Sequence, residues 1–400
     1  MNTILKDKIQ EIEHAIDLNW KNNSYVSLLT GIGGIPIFYY VLYQIEGEEV
    51  YLKKMRGVVE NLYEKLDTEE YGLTYSSGLS GVAYMLNYLN ERKVIDDIGD
   101  ELEFIDESIT SFTEKNMKSI DDLDFLHGAL GATNYLVERM KKNEKIIAST
   151  TDLVIRLCNI INKDIRNAET VRELLEYDDD THRTNCGLAH GRVSEIIILS
   201  KFLEQFPDNM VVRETIRDCV NCLLSFQSED ENTTCAYPSI AVNQKTANYN
   251  IHLGWCYGDQ VVSLGLYKAS KVLNDQEIFS KAKALAYRTL KRNTVKKALL
   301  SNFHDSAFCH GASSLAYCNK KWYQITKDSQ FKENYEKFIG NIIENGKNDI
   351  GLAGYRKYLG NNKFENAIGM LDGVAGIGIV LADYFLEENQ VDWDSFFLLN

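Results

Sequence analysis

Gly187-Leu188-Ala189-His190-Gly191-Arg192-Val193-Ser194-Glu195-Ile196-Ile197-Ile198-Leu199 decides the fold. A polar residue and a glycine open a run that continues to Phe202 with apolar residues on nearly every side of a helix, the pattern of a helix buried all round. The same opening recurs at Thr30-Gly31, Ser77-Gly78, His127-Gly128, Tyr257-Gly258, His310-Gly311 and Asp372-Gly373. The seven glycines stand 47, 50, 63, 67, 53 and 62 residues apart. A small residue follows three positions later in six of them (Gly34, Gly81, Gly131, Ser194, Ser314 and Gly376), and Val261 departs. A motif at a quasi-regular period is a repeat architecture.

Each repeat reads as two helices. Behind the buried run comes an amphipathic one: Met210 to Phe226 sets Arg213, Glu214, Arg217 and Asp218 between apolar residues. The chain has 3 prolines, where average usage of about 5% would give roughly twenty, as expected when most of it is helix. The expected fold is all-α: a double ring, or α/α toroid, of seven helical-hairpin repeats with Gly-x-x-Gly turns. An open solenoid is the rival, and helices apolar on all sides suit a closed ring better. We expect one domain over residues 1–400, with long loops or insertions near 164–187, 228–252 and 345–370, which are rich in Asn, Asp and Thr.

Net charge is −15, without a basic patch interleaved with aromatics, so nucleic acid is not an expected partner. Residues 1–10 are charged and polar and do not read as a signal peptide. The uncharged stretch Tyr25 to Ile45 is long enough for a membrane span, but it holds Gly31, Gly33, Gly34 and Pro36 and is the first repeat. Eight cysteines in such a chain point to a reducing cytoplasm rather than a disulfide framework. Cys158, Cys219 and Cys318 read as small buried hydrophobes; Cys219 and Cys222 lack a second pair to complete a zinc ribbon.

Aligning the repeats brings chemistry together. Cys256 and Cys309 stand two residues before their glycines in consecutive repeats, and His310 follows Cys309. Two Cys and a His are an attested catalytic zinc set with a fourth position open, and a thiol near a helix N-terminus is favoured as thiolate. Two other readings stand beside this: buried cysteines that never meet, and a closed structural site completed by His190, His127 or another Cys. His190 is a candidate acid or base, or else a turn residue. Asp124, in Asp124-Phe125-Leu126-His127-Gly128, is placed to orient a histidine, to hold a substrate amide, or to cap a helix.

Leu188-Ala189-His190-Gly191, Trp255-Cys256-Tyr257-Gly258 and Cys309-His310-Gly311, in this order within seven glycine repeats, resemble the lanthionine synthetase C-like cyclases over essentially the whole chain. The length resembles the free-standing class I lantibiotic cyclases. The resemblance implies an α/α toroid and one Zn²⁺ per chain on Cys256, Cys309 and His310, with His190 and Asp124 at the acid/base and carboxylate positions. Trp255, Tyr257, His127 and His252 are candidate substrate contacts; His252 stands where some members carry an arginine. The implied reaction adds cysteine thiols of a dehydrated precursor peptide to dehydroalanine or dehydrobutyrine, closing the thioether rings of a lantibiotic. Implied partners are that peptide, a dehydratase and an export transporter, in the cytoplasm with peripheral membrane association through those partners. Three alternatives use the same residues: a glutathione- or thiol-handling relative, a protein prenyltransferase-like enzyme, and a zinc-stapled repeat that binds peptide without changing it.

Overall fold

The computed structural model describes residues 2–68, 70–174, 184–241, 247–302, 304–361 and 363–400. The expected long segments therefore fall partly outside the described residues, at 175–183, 242–246 and 362. The described chain divides into two compact units: Met1–Gly99 together with Arg292–Asn400, and Asp100–Lys291.

In the first unit the buried helices are Ile35–Glu46, Leu79–Glu91, Ala312–Thr326 and Val374–Ala382. Ile35–Glu46 packs against Glu49–Leu66, and Ala312–Thr326 against Ser329–Asn345. The links of these two pairs are short because Ile35–Glu46 and Ala312–Thr326 end in left-handed residues, Gly47 and Lys327, which reverse the chain within a turn. In the second unit, Ala129–Arg139, Arg192–Gln205 and Asp259–Leu273 are the buried helices. Their amphipathic partners are Ile147–Leu174, Met210–Leu224 and Gln276–Thr289. Asn209 and Asp275 cap the last two through their side chains, whereas the glycines before the buried helices offer no such cap.

Repeat two shows why glycine opens each buried helix. The Leu79 amide donates to the Gly72 carbonyl, seven residues back, at 2.8 Å, folding the preceding loop onto the helix start. A Cβ on Gly78 would lie 2.3 Å from the Gly72 oxygen, and one on Gly81 2.1 Å from the Tyr75 oxygen. Both glycines of Gly-x-x-Gly are therefore set by close backbone approach. The same seven-residue bond runs from Ile32 to Tyr25, Ala312 to Asp305 and Val374 to Ala367. Repeat five differs: Gly258 takes φ +98, the left-handed side that side chains avoid, and the next residue is Asp259. The Asp259 carboxylate is buried and accepts from the Ala236 and Tyr237 amides, so it ties a long loop to the turn.

A second set of backbone bonds joins successive turns at the position two residues before each glycine. Cys309 donates to the Leu371 carbonyl at 3.0 Å, Leu371 to Leu29 at 2.8 Å, and Leu29 to Ser76 at 3.5 Å. In the other unit Leu188 and Ala189 donate to the Cys256 carbonyl at 2.9 and 3.4 Å. Each thiol position is thus tied through its backbone to a neighbouring turn of its own unit.

Two differences from the expectation have physical causes. Segment 164–187 begins as helix, since Ile147–Leu174 carries its buried face on through Ile161 and Ile165. The polar N-terminus forms the helix Asn2–Asn19, which hides Leu5, Ile9, Ile12 and Ile16 and packs on Val374–Ala382. The seventh buried helix thus takes its amphipathic partner from the start of the chain. Lys8, buried beside it, donates to the Gly346 carbonyl at 2.8 Å. Among the described residues the strands are two-residue pairs, Thr184–Asn185 with Ile240–Ala241 and Lys357–Tyr358 with Phe364–Glu365. No described helix is long and apolar enough to cross a membrane.

Ile12 is fully buried and Ile4 is 55% exposed on the same N-terminal helix. Ile12→Ala should cost about 2–5 kcal/mol in chemical denaturation, the usual range for a core Ile, and Ile4→Ala within about 0.5 kcal/mol. Equal effects would contradict the docking of this helix on Val374–Ala382.

Candidate active site

Three of the glycine turns in the second unit carry an acid/base pair and a thiol: Asp124 stands before Gly128, His190 before Gly191 and Cys256 before Gly258. Asp124 Oδ1 accepts from the His127 amide at 2.7 Å, and Oδ2 lies 2.5 Å from His190 Nδ1. Asp124 thus ties its own turn and orients an imidazole, whereas the helix that follows opens on Gly128 without a side-chain cap, so the helix-cap reading is not realised. Burial pushes its carboxyl up, but the His190 hydrogen bond and charge and the His127 amide outweigh that, leaving it below the ordinary value. His190 is flanked by the rings of His127, at 6.0 Å, and Tyr257, at 6.3 Å. With Nδ1 held by a carboxylate, Nε2 is the nitrogen left for proton exchange with a substrate.

The turn of His190 is bonded directly to that of Cys256 through the Leu188 and Ala189 amides. Gly187 permits this contact: a Cβ there would lie 2.4 Å from the Cys256 oxygen and 2.4 Å from the Tyr257 ring. Cys256 is buried, 3% exposed as a residue. Trp255, a candidate substrate contact by sequence, is wholly buried with its ring edge-on to Phe125 at 6.4 Å, so in this conformation it props the turn. His252 is half-buried, and its backbone oxygen lies 3.0 Å from where a Gly258 Cβ would stand.

In the first unit the Leu371 carbonyl fixes Phe308 and Cys309, and the Cys309 Sγ lies 3.6 Å from His310 Nε2. Zinc–sulfur and zinc–nitrogen bonds of about 2.3 and 2.05 Å at a tetrahedral angle put S and N about 3.6 Å apart. The pair therefore fits one edge of a zinc site. Burial lowers the His310 pKa, but the Cys309 hydrogen bond and charge, with Asp305 and Asp372, outweigh it and leave it raised. Asp305 is buried, which pushes its carboxyl up to about 6 although it accepts from the Ala307 amide at 2.7 Å. Lys357 pairs with Asp372 at 2.9 Å. Asp305, Lys357 and Asp372 were not singled out from sequence; Asp372 alone stood on the repeat motif.

The sequence reading also missed charge beneath His190. Arg192, 2% exposed, donates from Nη1 to Glu195 at 2.6 Å and from Nη2 to Asp164. Charged residues at the first and fourth positions of the helix, directly before the apolar run Ile196 to Leu199, were the available signal.

The sequence model described as "Lanthionine synthetase C-like protein" matches residues 24–398. A solved structure titled "Nisin cyclase" superposes with a TM-score of 0.73, covering 99% of this chain and 96% of that chain at 18% identity. A cellobiose 2-epimerase from Bacillus thermoamylovorans gives a TM-score of 0.43 at 11% identity, over 96% of this chain and 100% of that one. A search of curated proteins finds no match. The superposition shows the fold to be the α/α toroid that the repeats led us to expect. With the family model spanning nearly all of it, the chain belongs to the lanthionine synthetase C-like family.

Proposed function

We propose that this protein is a zinc-dependent lanthionine cyclase, forming thioether rings in a dehydrated precursor peptide. The observation that carries this reading is the Asp124–His190 pair on a turn bonded to the Cys256 carbonyl, an oriented acid/base beside a thiol. Cys256, Cys309 and His310 would hold the metal, each offering one ligand atom. The 3.6 Å separation of Cys309 Sγ and His310 Nε2 supports that donor set. When bound, zinc supplies positive charge that favours the thiolate form of a cysteine at neutral pH.

The protein's own groups account for the rest of the reaction. Sulfur bonds to the β-carbon of the dehydro residue, and the α-carbon then takes up one proton. His190 gives that proton through Nε2, while Asp124 holds Nδ1 and fixes the tautomer. His127 is exposed and Tyr257 half-buried on either side of His190, where each can line the peptide's path. A dehydration of Ser or Thr must precede this step, which makes a dehydratase the expected upstream partner. Export of the cyclised peptide follows, with a transporter as partner. We place the reaction in the cytoplasm.

Metal content tests the ligand set. Wild type should carry one zinc per chain by elemental analysis, and a Cys256→Ala, Cys309→Ala double variant should carry almost none. Full occupancy in that variant would sink the assignment.

His190→Asn should keep the zinc and the fold while slowing ring closure by roughly 10²–10⁴-fold, the usual worth of a general acid. Cyclisation leaves mass unchanged, so the assay is thiol alkylation of a dehydrated precursor followed by mass spectrometry. A rate equal to wild type removes His190 from the mechanism, and loss of zinc makes it a ligand.

Stability against acid tests Asp124. Its pKa is lower in the folded protein, so its contribution is present above the unfolded value of about 3.9 and is lost as pH falls through the folded one. Asp124→Asn should therefore be less stable than wild type at neutral pH, and the gap should close below that range. Denaturation midpoints measured across pH read this directly; a gap independent of pH would contradict it.

A further inference from the structure

Asp124 and His190 line a cavity of about 240 Å³ within their own unit. Asp164, Thr184, Arg192 and Glu195 line it too, as does Asp121, which is exposed and gives it a route to solvent. The wall is built from buried polar groups: Thr184 is 4% exposed, Asp164 7%, Arg192 2% and Glu195 4%. Arg192 spends both terminal nitrogens on Glu195 and Asp164, and its buried Nε–H has no partner among the described residues. A buried N–H without an acceptor is costly, and a polar cavity of this size is where water supplies one. At about 30 Å³ per molecule the space holds on the order of eight waters. Two carboxylates against one guanidinium leave the wall with surplus negative charge, which favours an excess proton in that water.

We propose that this cavity holds a water chain that carries protons between solvent and His190, with Arg192, Asp164 and Glu195 as its positioning residues. The inference rests on the cyclase reading. Addition of a thiol across the dehydro double bond forms S–Cβ, breaks S–H, and moves the π pair to the α-carbon, which takes a proton. One proton is released and one consumed, and no electron acceptor is needed. With Nδ1 held by Asp124, the ring takes its proton back at Nε2 once the product has left, from water that the cavity joins to solvent past Asp121.

The first test does not involve activity. A high-resolution crystal structure of the zinc-loaded protein should show ordered waters accepting from Arg192 Nε and continuing to His190. A dry cavity, or one closed by side chains, overturns the proposal whether or not the protein cyclises peptides. The second test is kinetic. Glu195→Gln keeps the shape and an acceptor for Arg192 but removes the charge. Its ring-closure rate at low buffer should fall by up to about 10²-fold, then rise with imidazole buffer concentration toward wild type. Wild type should be independent of buffer. A merely structural role for Glu195 would lower the rate without creating buffer dependence. If Glu195→Gln does not fold, Thr184→Leu fills the cavity with apolar atoms, leaves the ion group intact, and should show the same dependence. Wild-type rates free of buffer dependence in whichever variant folds would overturn the water chain. No cyclisation by wild type itself would overturn the cyclase reading instead, with the crystallographic result still deciding the cavity.

Discussion

The rest of the structure depends on the contact between a helix start and the loop that folds back onto it. Wherever the amide after the motif glycine bonds to a carbonyl seven residues upstream, the returning backbone comes so close that a Cβ has no room. Each of the four buried helices of the first unit therefore begins with its first turn pressed under a short backbone arch. The two residues before the glycine lie on that arch, with little freedom of their own. Side chains placed there are held by the fold before any ligand arrives, which is what a metal or acid/base site needs in order to act without reorganisation.

The belt between turns turns this local constraint into a site. Because the amide two residues before one glycine bonds to the carbonyl two residues before the next, neighbouring turns share a fixed register. Cysteine at that position costs the backbone nothing, since it bonds through its main chain as Leu29 and Leu371 do. The next residue outward is free to be Thr30, Ser77, His127, His190, Tyr257, His310 or Asp372. Most of the chemistry thus falls at two positions per repeat, with Asp124, four residues before its glycine, reaching His190 on the next turn. Repeat five bends the rule: Gly258 adopts a positive φ, and Asp259 anchors the loop at Ala236 and Tyr237.

The repeat, its helical pairs and the two Cys-containing turns were legible because each is a local pattern of glycine, polarity and spacing. The partner of the seventh buried helix was not. Asn2–Asn19 reads as polar, since its buried residues Leu5, Ile9, Ile12 and Ile16 are spaced among charges, and the helix it covers lies at the other end of the chain. Asp124 and His190 were each visible, and their 2.5 Å bond spans 66 residues that no local pattern relates. Trp255 looked like a rim residue because its neighbours are; the turn directs it inward onto Phe125.

Arg192–Gln205 shows the limit of reading burial from apolar periodicity. It reads as apolar nearly all round, yet Arg192, Glu195 and Lys201 are all buried on it. Arg192 and Lys201 are met from other helices, Arg192 by Asp164, Lys201 by Asn134 at 3.0 Å and by Glu138 at 3.4 Å, while Glu195 pairs with Arg192. A buried pair of this kind contributes little net stability, because desolvation offsets most of the attraction, whereas breaking one leaves an unpaired charge. Such residues give the helix an axial and rotational register that Ile196, Ile197, Ile198 and Leu199 could not specify by themselves. Since Gly191 and His190 precede that helix directly, its register is also the register of the imidazole. The buried charges beneath the rim and the acid/base pair on it belong to one mechanical unit.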